Sequence, residues 1–148
     1  MPRNAPLFLI RIVVGIVFVT EGVLKFMFPE EFGAGRFAHI GLPVSHLLGP
    51  FVGGVEIAAG GALLLNLYSG EAAILLLCII LTALFTTKLP ILLGHSIGPF
   101  SIPRSVGHTG LIGFLHESRT DLSMLFCLVS ILIDSGLRLG RSKLGRNR

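Results

Sequence analysis

Tryptophan is absent from this chain, tyrosine occurs once, cysteine twice, and charged residues make up only 14% of it. Each shortage excludes something. Without Trp, the aromatic belts that anchor many membrane proteins at the lipid–water boundary are thin, and Tyr68 is the best such anchor. Cys78 and Cys127 stand in different apolar runs with no C-x-x-C spacing, which argues against a thiol–disulfide shuttle of that type and leaves them as small buried hydrophobes. So little charge beside 52% hydrophobic residues and a mean hydropathy of +0.84 excludes a soluble globule. A length of 148 residues leaves no room for a separate soluble catalytic domain, and there is no low-complexity linker or clear internal repeat. The net charge of +4 does not point to nucleic acid, because five of the twelve basic residues, Arg138, Arg141, Lys143, Arg146 and Arg148, crowd into the last eleven positions. A basic tail directly after an apolar run reads as an orientation signal and a contact with anionic lipid.

What the chain does have is four long apolar runs, 7–28, 47–68, 71–93 and 122–139. Each approaches the roughly 20 residues that cross a hydrocarbon core of about 30 Å as a helix. They predict an all-α fold, an integral membrane four-helix bundle in which residues 1–148 form a single four-span domain. The beginning resembles a signal peptide, but its apolar stretch is too long, contains Arg11 and Glu21, and has no small-x-small cleavage site, so it reads as an uncleaved first helix. Arg3 and the basic tail lie with the termini, the short loop 66–71 has no Lys or Arg, and Arg36, Arg104 and Arg119 fall in the longer connections. The positive-inside rule then makes both termini cytoplasmic, in a multi-pass protein of a bacterial or archaeal inner (plasma) membrane. His39 and His46 fall in the first outer connection, and His95, His108 and His116 in the second. That second connection, 95–117, mixes Pro99, Pro103 and several glycines with Ile97, Phe100 and Phe114. It predicts an outer lid between the third and fourth helices, irregular or at most a short interfacial helix, folded over the outer half of the bundle.

Arg11, Glu21, Lys25, Glu56, Lys88 and Asp134 lie inside the apolar runs. Ionisable groups in a span are costly and are expected to face the bundle interior and to pair. At about 1.5 Å per residue, Glu21 lies roughly 10 Å, Glu56 roughly 13 Å and Lys88 roughly 8 Å from the outer ends of three different helices. Lys25 follows Glu21 by one helical turn on the same face. These four charges read in two ways. They neutralise one another and hold the helices together, or they line a polar pocket for a small molecule or a quinone head group, with a carboxylate able to pass protons and a Lys able to hold an anion. His95 and His116 are further candidates for that pocket from the lid side. Arg11 and Asp134 both lie near the inner ends of their helices and predict a structural ion pair that sets helix order. A metal site built from His108, His116 and Glu117 with His39 or His46 has no supporting ligand spacing, and no metal is assigned.

The first helix reads Arg11-xxx-Gly15-xx-Phe18-xxx-Gly22-xx-Lys25-Phe26, the second Glu56-Ile-Ala-Ala-Gly60-Gly-Ala-Leu63, and the last run ends Ser135-Gly136-Leu137-Arg138. In these patterns and its length the chain resembles the DoxX family of small membrane proteins. The resemblance implies a four-helix membrane bundle related to the small, quinone-reducing subunit of a thiosulfate:quinone oxidoreductase, with Arg11, Lys25 and Glu56 on matching positions. It also implies a redox or thiol-stress protein as membrane partner. The His-bearing lid and Asp134 have no counterpart in the pattern. No motif for flavin, haem or an iron–sulfur cluster is present, so there is no intrinsic cofactor, and a quinone is the one cofactor the resemblance brings.

The expected function is an integral membrane subunit of a quinone-linked or sulfur-compound oxidoreductase, offering a polar intramembrane pocket near the outer face. It would contact lipid and a protein partner or copies of itself. The alternatives are a structural or assembly protein that docks a periplasmic partner, and a small-solute transporter.

Overall fold

The computed structural model describes residues 5–103 and 106–146, with side chains of the last helix described through Gly136. In chain order the helices are α1 (Ala5–Met27), α2 (Pro29–Phe32), α3 (Ala34–His39), α4 (Ser45–Leu64), α5 (Ser69–Ala83), a π-helical turn (Leu84–Lys88), α6 (Leu89–Leu93) and α7 (Gly110–Arg146). Among the described residues the β structure amounts to one isolated pairing, Ile97 with Phe100. Among the described residues, three rods are long and apolar enough to cross a membrane: Ala5–Met27, Ser45–Leu64 and Ser69–Leu93.

The third of these rods runs through α5, the π turn and α6 without a break. Pro90 has no N–H to donate and its ring crowds the carbonyl of Thr86, four residues back. The chain answers by widening the turn before it: Leu89 donates its N–H to the Leu84 carbonyl, five residues back. The second rod stops at Leu64, short of the expected 68, because Asn66 (φ 55°) and Tyr68 (φ 45°) are left-handed and turn the chain into α5. Tyr68 is exposed at this turn.

The fourth apolar run, 122–139, sits inside a longer helix than the composition suggested. α7 begins at Gly110, whose φ of 82° breaks the chain before it. The expected lid, 95–117, is therefore corrected: residues 94–103 and 106–109 are irregular, and residues 110–117 are the first two turns of α7. No proline follows Pro103 to interrupt them, and Gly113 alone lowers helix stability by only about 1 kcal/mol. Arg3, Arg104 and Arg148, which enter the orientation count, lie outside the described residues, as do the side chains of Arg138, Arg141, Lys143 and Arg146.

α1 and α4 run antiparallel and meet along glycines. A Cβ on Gly15 would lie 2.9 Å from the Gly60 carbonyl oxygen, and one on Gly22 would lie 2.6 Å from that of Gly53. The seven-residue spacing on both helices brings each glycine opposite its counterpart, so the backbones approach closely. α5 packs on α4 and α7, and α7 also packs on α1. Val14, Leu63, Leu76, Leu128 and Ile131 form a fully buried core in the half nearest the Asn66 turn. Apolar side chains such as Phe8, Ile16, Leu81 and Phe126 face outward, where lipid is their natural solvent.

Candidate functional site

In the half of the molecule nearest the two longer connections the helices part around a cavity of about 540 Å³. One wall is α1 with α4, the other α5 and the π turn with α7. Val17, Phe18, Ile80 and Met124 supply apolar lining, and Glu21, Lys25, Glu56, Lys88 and Asp121 supply charge.

On the first wall the glycine seam brings α4 close enough for Glu56 to meet α1. Lys25 Nζ lies 2.7 Å from Glu56 Oε2 and 3.7 Å from Glu21 Oε2. The Lys25 and Glu56 side chains are only 8% and 4% exposed, whereas Glu21 is 49% exposed. Lys25 thus links a buried carboxylate to one that reaches solvent or head groups. Across the cavity Lys88, at the end of the π turn, lies 3.5 Å from Asp121 Oδ2 and donates a hydrogen bond of 2.7 Å to the Glu117 carbonyl. The hydroxyls of Thr82 and Thr86 donate to the carbonyls of Cys78 and Thr82, each at 2.8 Å. With their hydroxyls occupied by their own helix, these threonines turn methyl groups to their surroundings. The structure therefore brings together four of the expected pocket residues, Glu21, Lys25, Glu56 and Lys88, and adds Asp121.

The histidines lie elsewhere. His95 is exposed, with Nδ1 3.0 Å from the Ser96 carbonyl oxygen. His116 is exposed on α7, its ring nitrogens 3.0 Å from Nη1 of Arg119. Neither lines the cavity, nor does any other described residue between 94 and 116. Its cover comes instead from the first connection, where Phe32, Arg36 and Phe37 line it. The second connection buttresses the first: Ser101 Oγ donates to the His39 carbonyl at 2.7 Å. Among the described residues no group of three or more His, Cys, Asp or Glu is arranged to hold a metal ion.

At the opposite end, Arg11 Nη2 lies 3.1 Å from Asp134 Oδ2, and Nη1 donates to Asn66 Oδ1 at 2.7 Å, which also accepts from Ser69 Oγ at 3.1 Å. This cluster ties α1, the turn between α4 and α5, and α7 at one level below the core.

Asp121 immediately precedes the apolar run 122–139 and so is absent from the charges expected inside a span. Once α7 starts at Gly110, Asp121 lies several turns in and faces Lys88. The four-residue spacing of Glu117 and Asp121, both on the helix face that meets Lys88, was the available signal.

Apolar rods of membrane-crossing length with ion pairs held between them define an integral membrane protein. The chain belongs to the DoxX family, whose model matches residues 6–89. That stretch contains Arg11, Glu21, Lys25, Glu56 and Lys88 and ends before α7. The chain is also 42% identical, over 123 residues, to the uncharacterized membrane protein Rv3486 of Mycobacterium tuberculosis, an alignment covering 83% of this chain and 71% of that protein. No solved structure matches.

Proposed function

We propose that this protein is the integral membrane subunit of a quinone-linked oxidoreductase, and that its cavity receives the quinone head group. In this reading α1, α4, the α5–α6 rod and α7 are four spans, both termini are cytoplasmic, and the cavity opens in the outer half of an inner membrane. The observation that carries the reading is the cavity itself: about 540 Å³, walled by apolar side chains, with two ion-paired lysines facing each other across it. Its size falls within the roughly 300–1,000 Å³ of small-molecule sites, and a few polar groups among apolar walls are what orient a ligand there. Lys25 and Lys88 supply donors for carbonyl oxygens, and Glu56 and Asp121 supply groups able to exchange protons. A small sulfur-containing anion is the other ligand this donor set suits. Electron transfer belongs to a protein partner that brings a redox centre.

A transporter needs a continuous path to the other face. The core of Val14, Leu63, Leu76, Leu128 and Ile131 and the Arg11–Asp134 pair beneath it weigh against one. An assembly role, in which the charges only set helix register, is separated from the pocket by Glu56→Gln. If this variant accumulates folded but loses ligand, the pocket reading stands; if the protein itself is lost while ligand content per folded molecule is unchanged, the charges act as structure.

The decisive experiment is purification from the native membrane in mild detergent, mass spectrometry of co-purifying proteins, and organic extraction of the preparation. Stoichiometric quinone or a redox partner is the expected result. A ligand-free homo-oligomer overturns the proposal.

A further inference from the structure

The lining residues of the cavity that are exposed fall into two groups of different chemistry. α1 is sealed to α4 along the glycine seam, and α5, the π turn and α6 all pack on α7. α5 also packs on α4, and α1 on α7, so the openings are read from the lining residues that are themselves exposed. One group is Glu21 of α1 and Thr120 of α7, with Arg36 of α3. The others are Phe51 of α4 with Cys78 and Thr82 of α5; Phe51 is 67% exposed although it lines the cavity, and Cys78, expected to be buried, is exposed as well.

The second group is apolar. The Thr82 hydroxyl is held by the Cys78 carbonyl, so phenyl, thiol and methyl groups form the rim. Cys78 lies roughly 13 Å along the helix from Ser69, near the middle of a hydrocarbon core of about 30 Å. Phe51 lies roughly 9 Å below the start of α4 at the other end. In the four-span reading above, this side of the cavity faces lipid and not water. A ligand whose polar part sits between Lys25 and Lys88 has an apolar exit directly behind it.

We propose that the ligand enters sideways from the bilayer through the α4–α5 cleft and is an amphiphile, a compact polar head carrying one flexible apolar chain that lies across Phe51, Cys78 and Thr82. This rests on the pocket reading above and extends it, because a free water-borne anion or a bare ring has no use for that cleft. A prenylated quinone and a single-chain lipid share the chemistry, and organic extraction of the purified protein distinguishes them.

The test uses the full chain carrying Cys127→Ser in lipid nanodiscs, so that Cys78 is the one thiol. Cys78 is labelled with a lipid-soluble pyrene maleimide in the presence of decyl-substituted benzoquinone or of the same ring with methyl in place of the decyl chain. Binding of each quinone is read separately by displacement of extracted native ligand. The decyl compound at about ten times its Kd is expected to slow labelling on the order of tenfold by occupancy alone, while the methyl compound binds and leaves the rate unchanged. Thr82→Trp, which fills the cleft, is expected to weaken the decyl compound selectively. Equal binding of both compounds with Cys78 unprotected overturns the lateral cleft and leaves the pocket standing. Binding of neither overturns the pocket reading and the cleft with it. Protection by native phospholipid alone, with no quinone effect, assigns the site to a lipid and overturns quinone as the occupant.

Discussion

A single methyl group added at Gly22 tests the close approach of α1 and α4 on which the first wall of the cavity depends. An ideal Cβ there would lie 2.6 Å from the Gly53 carbonyl oxygen and 2.7 Å from Cγ1 of Ile57. Comfortable contacts for carbon are about 3.5–4.0 Å, so the helices must separate by nearly 1 Å or retain the repulsion. Overpacking of this kind costs about 1–3 kcal/mol. Helix propensity acts in the opposite direction, favouring Ala over Gly by about 1 kcal/mol. Gly54→Ala is the control, on the facing helix with nothing within 4 Å of its Cβ, so that only the propensity gain remains. The two variants should therefore differ by the packing contribution, roughly 1–3 kcal/mol, or on the order of 2–12 °C in midpoint for a chain of this size. Because the chain has no Trp, far-ultraviolet circular dichroism during heating in one mild detergent is the suitable assay. If Gly22→Ala melts with or above Gly54→Ala, the glycine seam is not a close contact.

Three further outcomes are expected. Lys25→Met leaves Glu56 buried without its 2.7 Å cation and should destabilise by about 3 kcal/mol, most of which Lys25→Met with Glu56→Gln should restore; equal stability of the single and double variants would sink the pair. Asn66 combines a left-handed backbone with an acceptor for Arg11, so Asn66→Gly loses only the acceptor, while Asn66→Ala also strains the backbone and should melt as the weaker of the two by about 1 kcal/mol. In a Cys78→Ser, Cys127→Ser background, an impermeant maleimide applied to intact cells should label Glu30→Cys and not Ser142→Cys; the reverse pattern refutes cytoplasmic termini.

Much of the candidate site was legible one helix at a time. Depth follows from rise per residue, so Glu21, Glu56 and Lys88 were assigned one level and Arg11 and Asp134 another from sequence distances alone. Glycines on α1 and α4 permit close packing but do not name their partners, since that depends on the relative rotation of two helices. Asp121 falls outside the apolar runs and Arg36 in a connection, so neither was legible as a cavity residue: an apolar run marks where lipid begins, not where a helix begins. The histidines drew attention by their side of the membrane. A shared side says nothing about distance, and the cover over the cavity comes from Phe32, Arg36 and Phe37 instead.

By itself, the sequence determined the solvent of this protein, the helical state of its apolar runs and the relative level of the charges inside those runs, because composition, length and rise per residue are local properties of the chain. Only the tertiary structure decided that Lys88 meets Asp121, that α7 starts at Gly110, that a π turn ahead of Pro90 carries Lys88 to the cavity, and that the helices part at one end and close at the other. Those outcomes depend on the azimuth of each helix about its own axis. Azimuth is set by which surfaces interlock, a property of pairs of helices that no single stretch of sequence contains.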